Sequence, residues 1–102
     1  MIVEYIRYRI APADAASFER DYAEAAKSLD ASQHCLGYEL ARCQEEPACY
    51  MLRIEWVSAK GHLRGFRGSD LFQPFLAAIR PYIGAIEEMR HYERTEIRSS
   101  QA

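Results

Sequence analysis

The chain lacks the marks of most chemistries that a small protein can carry. Its three cysteines, Cys35, Cys43 and Cys49, form no CxxC pair and follow no metal-ligand rhythm, which argues against both a disulfide framework and a zinc site. Free thiols are expected, although Cys43 and Cys49 flank a predicted turn and would face each other there. No GxGxxG, P-loop, HExxH or GxSxG sequence occurs, so the chemistries those motifs carry have no local support. No apolar run approaches the roughly 20 residues that cross a bilayer. Excess positive charge is missing too: 13 Lys and Arg stand against 15 Asp and Glu, a net charge of -2. Arg64, Arg67 and Arg80 lie fairly close together, but no global basic field draws a phosphate backbone, and nucleic acid is not an expected partner. Met1 leads straight into Ile2-Val3-Glu4-Tyr5-Ile6 without a signal-peptide pattern, which predicts a cytoplasmic protein.

What is present fits one modest domain. The chain has 102 residues, 49% hydrophobic and 27% charged, enough for a single core and too few for two. Residues 1–97 are read as one α+β domain and residues 98–102 as a polar tail. Residues 2–10 alternate, with Ile2, Ile6, Tyr8 and Ile10 sharing a face with Glu4, and Val3, Tyr5, Arg7 and Arg9 on the other. Asp14 is the expected N-cap of a helix running to about Leu29, its Phe18, Tyr22, Ala25 and Leu29 recurring at helical spacing. Strands are predicted over residues 36–43 and 49–57, joined by the polar turn at Gln44-Glu45-Glu46-Pro47. In the second of them Tyr50, Leu52, Ile54 and Trp56 share one face. Ser58 caps a short helix carrying Leu63 and Phe66; a further helix begins near Gln73, carries Phe72, Leu76 and Ile79 inward and stops at Pro81. Residues 86–97 form the last strand.

Strand, helix, strand, strand, helix, strand is the order of a ferredoxin-like βαββαβ sandwich, whose helices cover one face of an antiparallel sheet. The other face keeps Tyr, Ile, Val and Met among Arg and Glu. A two-fold dimer packing sheet on sheet would bury them, so the chain itself is the expected partner.

The segment Tyr50-Met51-Leu52-Arg53-Ile54-Glu55-Trp56-Val57-Ser58, with His62-Leu63, Phe66-Arg67, Ser69-Asp70, Phe72 and Phe75-Leu76 after it, carries a resemblance. Together with Leu36-Gly37-Tyr38-Glu39-Leu40 and Met89-Arg90-His91-Tyr92-Glu93, it resembles the antibiotic biosynthesis monooxygenase family of dimeric α/β barrels over nearly the whole chain. The resemblance implies a pocket between the helices and the sheet of each protomer. It also implies oxidation of a small phenolic or quinol-like metabolite with no cofactor, metal or flavin. A deprotonated electron-rich ring can itself pass an electron to oxygen, so the protein supplies a base, an anion stabiliser and a dry cavity. Haem-degrading relatives place Asn, Trp and His near what are Arg7, His62 and Phe75 or Leu76 here; none matches, which argues against haem degradation.

Each candidate residue has a plainer alternative. His62 is the candidate general base, its imidazole suited to proton transfer near neutrality, or else a solvated histidine beside Lys60 and Arg64. Trp56 either walls the substrate cavity or packs in the core. Phe66 and Phe72 line the pocket or fill it. Arg67 either faces an anionic substrate or pairs with Asp70, and Tyr38 and Tyr82 offer hydroxyl donors or sit satisfied in the core. His91 is placed at the dimer face, His34 in a polar loop, and Glu55 in an ion pair with Arg53. The main rival to an oxygenase is a non-catalytic binding or structural module whose cavity is filled by Trp56, Phe66, Phe72 and Phe75. A third reading is an isomerase or lyase acting on a small lactone or aldehyde.

Overall fold

Alternating apolar residues from Ile2 onward build β1 (Ile2–Arg9), the strand around which the rest is arranged. A computed structural model describes residues 1–99. After β1 come α1 (Ala15–Ala31), β2 (Cys35–Arg42), β3 (Cys49–Trp56), a π-helical turn (Gly61–Phe66), α2 (Phe72–Ile79), a 3₁₀ segment (Arg80–Ala85) and β4 (Ile86–Glu93). The sheet order is β2-β3-β1-β4 and every neighbouring pair is antiparallel, the ferredoxin-like α+β arrangement read from the sequence. β1 therefore lies inside the sheet, with Glu4 opposite Ile54 on one side and His91 on the other.

One face of the sheet holds the core. Tyr8, Tyr50, Leu52, Ile54 and Trp56 are buried beneath Phe18, Tyr22, Ala25 and Leu29 of α1 and Phe75 and Ile79 of α2. Phe18 meets the rings of Tyr8, Tyr50 and Tyr82, each at a centroid distance of 5.0 Å, which fixes α1 over the middle of the sheet. The opposite face carries the edge-to-face pair Tyr5 and Tyr92 and the ion pairs of Glu55 with Arg53 and Arg94. Leu36, Val57 and Tyr92 remain exposed.

Element ends differ from the sequence expectations for identifiable reasons. Asp14 does not cap α1 through its side chain: it ends a short 3₁₀ turn, Pro12–Asp14, whose last carbonyl accepts from Ser17 Oγ at 2.9 Å. α1 continues past Leu29 to Ala31 until Ser32 turns extended, with ψ of 128°. β4 stops at Glu93, not at Ile97, because β1 runs out opposite it. The last bridge is from Arg94 N–H to the Met1 carbonyl, at 3.2 Å. Beyond Ser58, whose Oγ accepts the Gly61 N–H at 2.9 Å, the expected ordinary helix is a π-helical turn. α2 opens at Phe72, one residue before Gln73, and gives way at Arg80 to the 3₁₀ segment that carries Pro81. The polar tail expected over residues 98–102 lies outside the described residues from position 100 onward.

Candidate functional site

The π-helical turn decides what faces the sheet beneath it. Widening the turn by one residue changes the angular phase of the side chains that follow. The Arg67 N–H reaches back five residues to the His62 carbonyl at 3.3 Å. Gly65 keeps this approach close: a Cβ at this position would stand 2.4 Å from the His34 ring, which would have to move for the turn to sit on the loop before β2. With this phase His62 and Phe66 both point inward and lie against Trp56, at ring distances of 4.6 and 5.2 Å. His62 is 4% exposed, so it is not the solvated histidine that its charged neighbours suggested.

Under this turn a carboxylate is held inside the apolar core. Glu4, on the same face of β1 as Ile6 and Tyr8, is 2% exposed, and its Oε1 accepts the Trp56 indole N–H at 3.0 Å. His62 Nε2 stands 3.5 Å from Glu4 Oε1, and His91 Nε2 stands 3.4 Å from Glu4 Oε2. The two imidazoles meet directly, His91 Nε2 to His62 Nδ1, at 3.0 Å. His91 thus lies on the helix-covered face of the sheet, not on the dimer face as expected. Its side chain is 39% exposed, so the chain of contacts runs from the buried carboxylate to the surface.

Burial lowers the His62 imidazole to about 4, helped by its electrostatic interactions with Arg67 and His91. A neutral ring is the resting state near pH 7, free of a second proton but a weak base, since the same burial disfavours the cation. Burial raises the Glu4 carboxyl above its usual range, against the Trp56 hydrogen bond and the electrostatic pull of His91 and Arg67. Tyr8 and Tyr22 share a hydroxyl–hydroxyl hydrogen bond of 3.1 Å, and burial raises both phenols, so they act as neutral donors and acceptors.

A cavity of about 160 Å³ opens beside these groups. Glu4, His62 and Arg67 provide polar lining together with Tyr8 and Tyr22, and Ile6, Ile54, Trp56, Phe66, Phe72 and Phe75 form much of the apolar wall. The aromatic side chains wall the space without filling it. Of the residues singled out in the sequence, His62, Trp56, Phe66, Arg67 and Phe72 are brought together here, and Arg67 forms no ion pair with Asp70 among the described residues. Tyr38 and Tyr82 are elsewhere. Tyr38 projects from the edge strand β2 toward α1 and donates to Asp30 at 3.0 Å, and Tyr82 donates to Asp21 of α1 at 2.5 Å.

The sequence profile described as "Antibiotic biosynthesis monooxygenase" matches residues 1–78. The chain belongs to this family. An uncharacterized Bacillus subtilis protein, YczJ, is 28% identical over 76 residues, 74% of this chain and 80% of that protein. A Bordetella bronchiseptica structure, described as a candidate antibiotic biosynthesis monooxygenase, superposes with a TM-score of 0.75 at 26% identity, covering 92% of this chain and 96% of that one. SnoaB, described as a cofactor-independent oxygenase from Streptomyces nogalater, superposes with a TM-score of 0.71 over 99% of this chain and 97% of its own; at 18% identity this likeness shows the fold alone. Among the described residues no helix is long and apolar enough to cross a membrane.

Two residues of the family member's site escaped the sequence reading. Glu4 carried a signal, since an acid in phase with Ile2, Ile6 and Tyr8 must find partners inside. His91 carried less: its strand is mixed on both faces, so alternation did not say which way the ring points.

Proposed function

We propose that this protein is a cofactor-independent monooxygenase acting on a small phenolic or quinol-like metabolite in the cavity between helices and sheet. The observation that carries the reading is the buried neutral imidazole of His62 at the polar end of an open, aromatic-walled cavity, in contact with a second histidine that reaches solvent. The cavity size limits the substrate: an apolar space of about 150 Å³ holds benzene, so one ring fits and a fused polycycle does not unless the walls move.

In this mechanism the substrate hydroxyl gives its proton to His62 Nε2, while His62 Nδ1–H passes one to His91 Nε2 and so to water. Arg67, which forms no ion pair among the described residues, stabilises the phenolate. The anion transfers one electron to dioxygen, and the radical pair joins as a peroxide on a ring carbon, which takes a proton back through the two histidines to become the hydroperoxide. Loss of water then leaves a quinone, with one oxygen atom retained and the other released as water. The apolar walls exclude bulk water from these intermediates.

Oxygen uptake with single-ring phenols and hydroquinones, without added flavin, haem or metal, tests the reading. His62→Ala is expected to lower kcat by about 10²- to 10⁴-fold, the usual worth of a positioned base, with kcat/KM falling in parallel. Trp56→Phe should change KM more than kcat. Turnover undiminished in His62→Ala would remove His62 from the mechanism. The paired histidines also suit reversible proton transfer on a small lactone or aldehyde. Turnover of such compounds without oxygen uptake would favour that reading.

A further inference from the structure

The geometry points to a binding site for one divalent first-row transition-metal ion, formed by Glu4 Oε2, His91 Nε2 and His62 Nδ1. These residues come from β1, β4 and the π-helical turn, so no local sequence motif announces them, and the absence of a CxxC pair or HExxH sequence does not bear on them. One ligand-capable atom from each residue lies within 4.8 Å of those from the other two. Two donors each about 2.1 Å from one ion stand roughly 3.0 Å apart at a right angle and about 3.4 Å apart at the tetrahedral angle. The separations here are 3.0 Å for His91 Nε2 to His62 Nδ1 and 3.4 Å for His91 Nε2 to Glu4 Oε2.

Every buried side-chain nitrogen and oxygen among the described residues has a hydrogen-bond partner, yet within this cluster the contacts compete. His91 Nε2 stands between His62 Nδ1 and Glu4 Oε2 and, whichever tautomer it takes, makes a good hydrogen bond to only one of them. Both histidine contacts to the Glu4 carboxylate, 3.4 and 3.5 Å, exceed the ~2.7–2.9 Å of a charge-assisted hydrogen bond, which leaves a 2%-exposed carboxylate with one good donor, Trp56. A cation among the three donors would relieve that competition. The surroundings suit it: Trp56 Nε1–H fixes Oε1, which turns Oε2 toward His91, and His62 Nε2 lies beside the same Oε1, the outer contact that orients a ligating imidazole. The adjoining cavity leaves room for further ligands, and the partly exposed His91 gives an entry path. Two imidazoles and one carboxylate with open positions suit Fe(II), Co(II) or Zn(II) better than Mg(II) or Ca(II).

The site goes beyond the proposed oxygenase chemistry and competes with it, since a bound ion occupies the nitrogens that would relay the proton. Equilibrium dialysis of chelator-treated protein against Co²⁺, read together with the visible d–d spectrum, tests it without reference to turnover. One Co²⁺ per chain, a visible band that Zn²⁺ abolishes by displacement, and at least tenfold weaker binding in His91→Ala are expected. His91→Ala removes a partly exposed side chain, so the variant should fold, which circular dichroism checks. His34→Ala should bind as the wild type does. No saturable Co²⁺ binding, or binding that survives His91→Ala and fails in His34→Ala, overturns the site. Oxygen uptake by the chelator-treated protein is scored separately, so failure of the metal site and failure of the oxygenase reading are distinguishable.

Discussion

Along β3 the side chains facing the helices, Tyr50, Leu52, Ile54 and Trp56, are 1% exposed or less, while Met51, Arg53 and Glu55 on the other face all keep partial access to solvent. The covered face admits polar groups only where they serve one another, as in Glu4 with Trp56, His62 and His91. The other face distributes ion pairs around an aromatic pair and leaves Leu36, Val57 and Tyr92 exposed. One sheet thus has a side completed by its own helices and a side that wants a second surface, which a two-fold copy of the chain would supply.

The largest effect should fall on the covered face. Trp56→Ala removes a buried ring and the best hydrogen bond of Glu4, and is expected to cost about 3–5 kcal/mol in urea unfolding followed by circular dichroism. Met51→Ala, on the other face, should cost about 1 kcal/mol or less in the monomer. Equal costs would break the contrast between the faces. Next in size is assembly. Light scattering at micromolar concentration should show a dimer, and Tyr92→Arg should weaken it by about 2 kcal/mol, roughly thirtyfold in dissociation constant. A monodisperse wild-type monomer would leave the exposed aromatic patch without its assigned purpose.

A smaller effect separates two groups within the covered face by its sign. His62 has a folded pKa of about 4, below its ordinary 6.5, so the unfolded chain binds more protons between these values. The His62 contribution therefore grows as pH rises from about 4 to 6.5 and is level above, with a slope of at most about 1.4 kcal/mol per pH unit. Glu4 acts oppositely, since its carboxyl is raised on folding and its contribution falls as pH climbs through the folded value. Urea titrations from pH 4 to 8 should show His62→Gln weakening the rise of stability with pH. Glu4→Gln, which keeps an acceptor for Trp56, should strengthen it. Slopes moving together in the two variants would contradict these protonation states. Smallest of all should be Arg7→Ala. Its contacts to Glu87 and Glu88, 3.8 and 3.6 Å long, are well exposed, and its loss is expected to change stability by about 0.5 kcal/mol or less in the same titration at neutral pH.

The sheet was legible because β1 and β3 alternate and α1 repeats its aromatic residues at helical spacing. The interior position of His62 was not, since an ordinary helix beginning at Ser58 carries a different side-chain phase from the π-helical turn that Gly65 permits against His34. Charge neighbours misled as well. Lys60 and Arg64 suggested a solvated face, yet in a widened turn they say little about a residue two positions away. Tyr38 and Tyr82 were grouped with the pocket by residue type, but each is committed to an acid, Asp30 or Asp21. Glu4 was legible as an anomaly on an apolar face, and only its long-range pairing with His91 across β4 gave it a purpose.

The chain has a single tryptophan, and it is the ring against which His62 and Phe66 both lie, with its N–H on Glu4. An indole stacked on an imidazole loses emission when that imidazole becomes a cation, and its emission wavelength follows the polarity around it. The protein therefore carries its own fluorescent reporter in the wall of the cavity: ligand entry, metal capture and protonation of His62 should each register in the emission of Trp56, with no label attached.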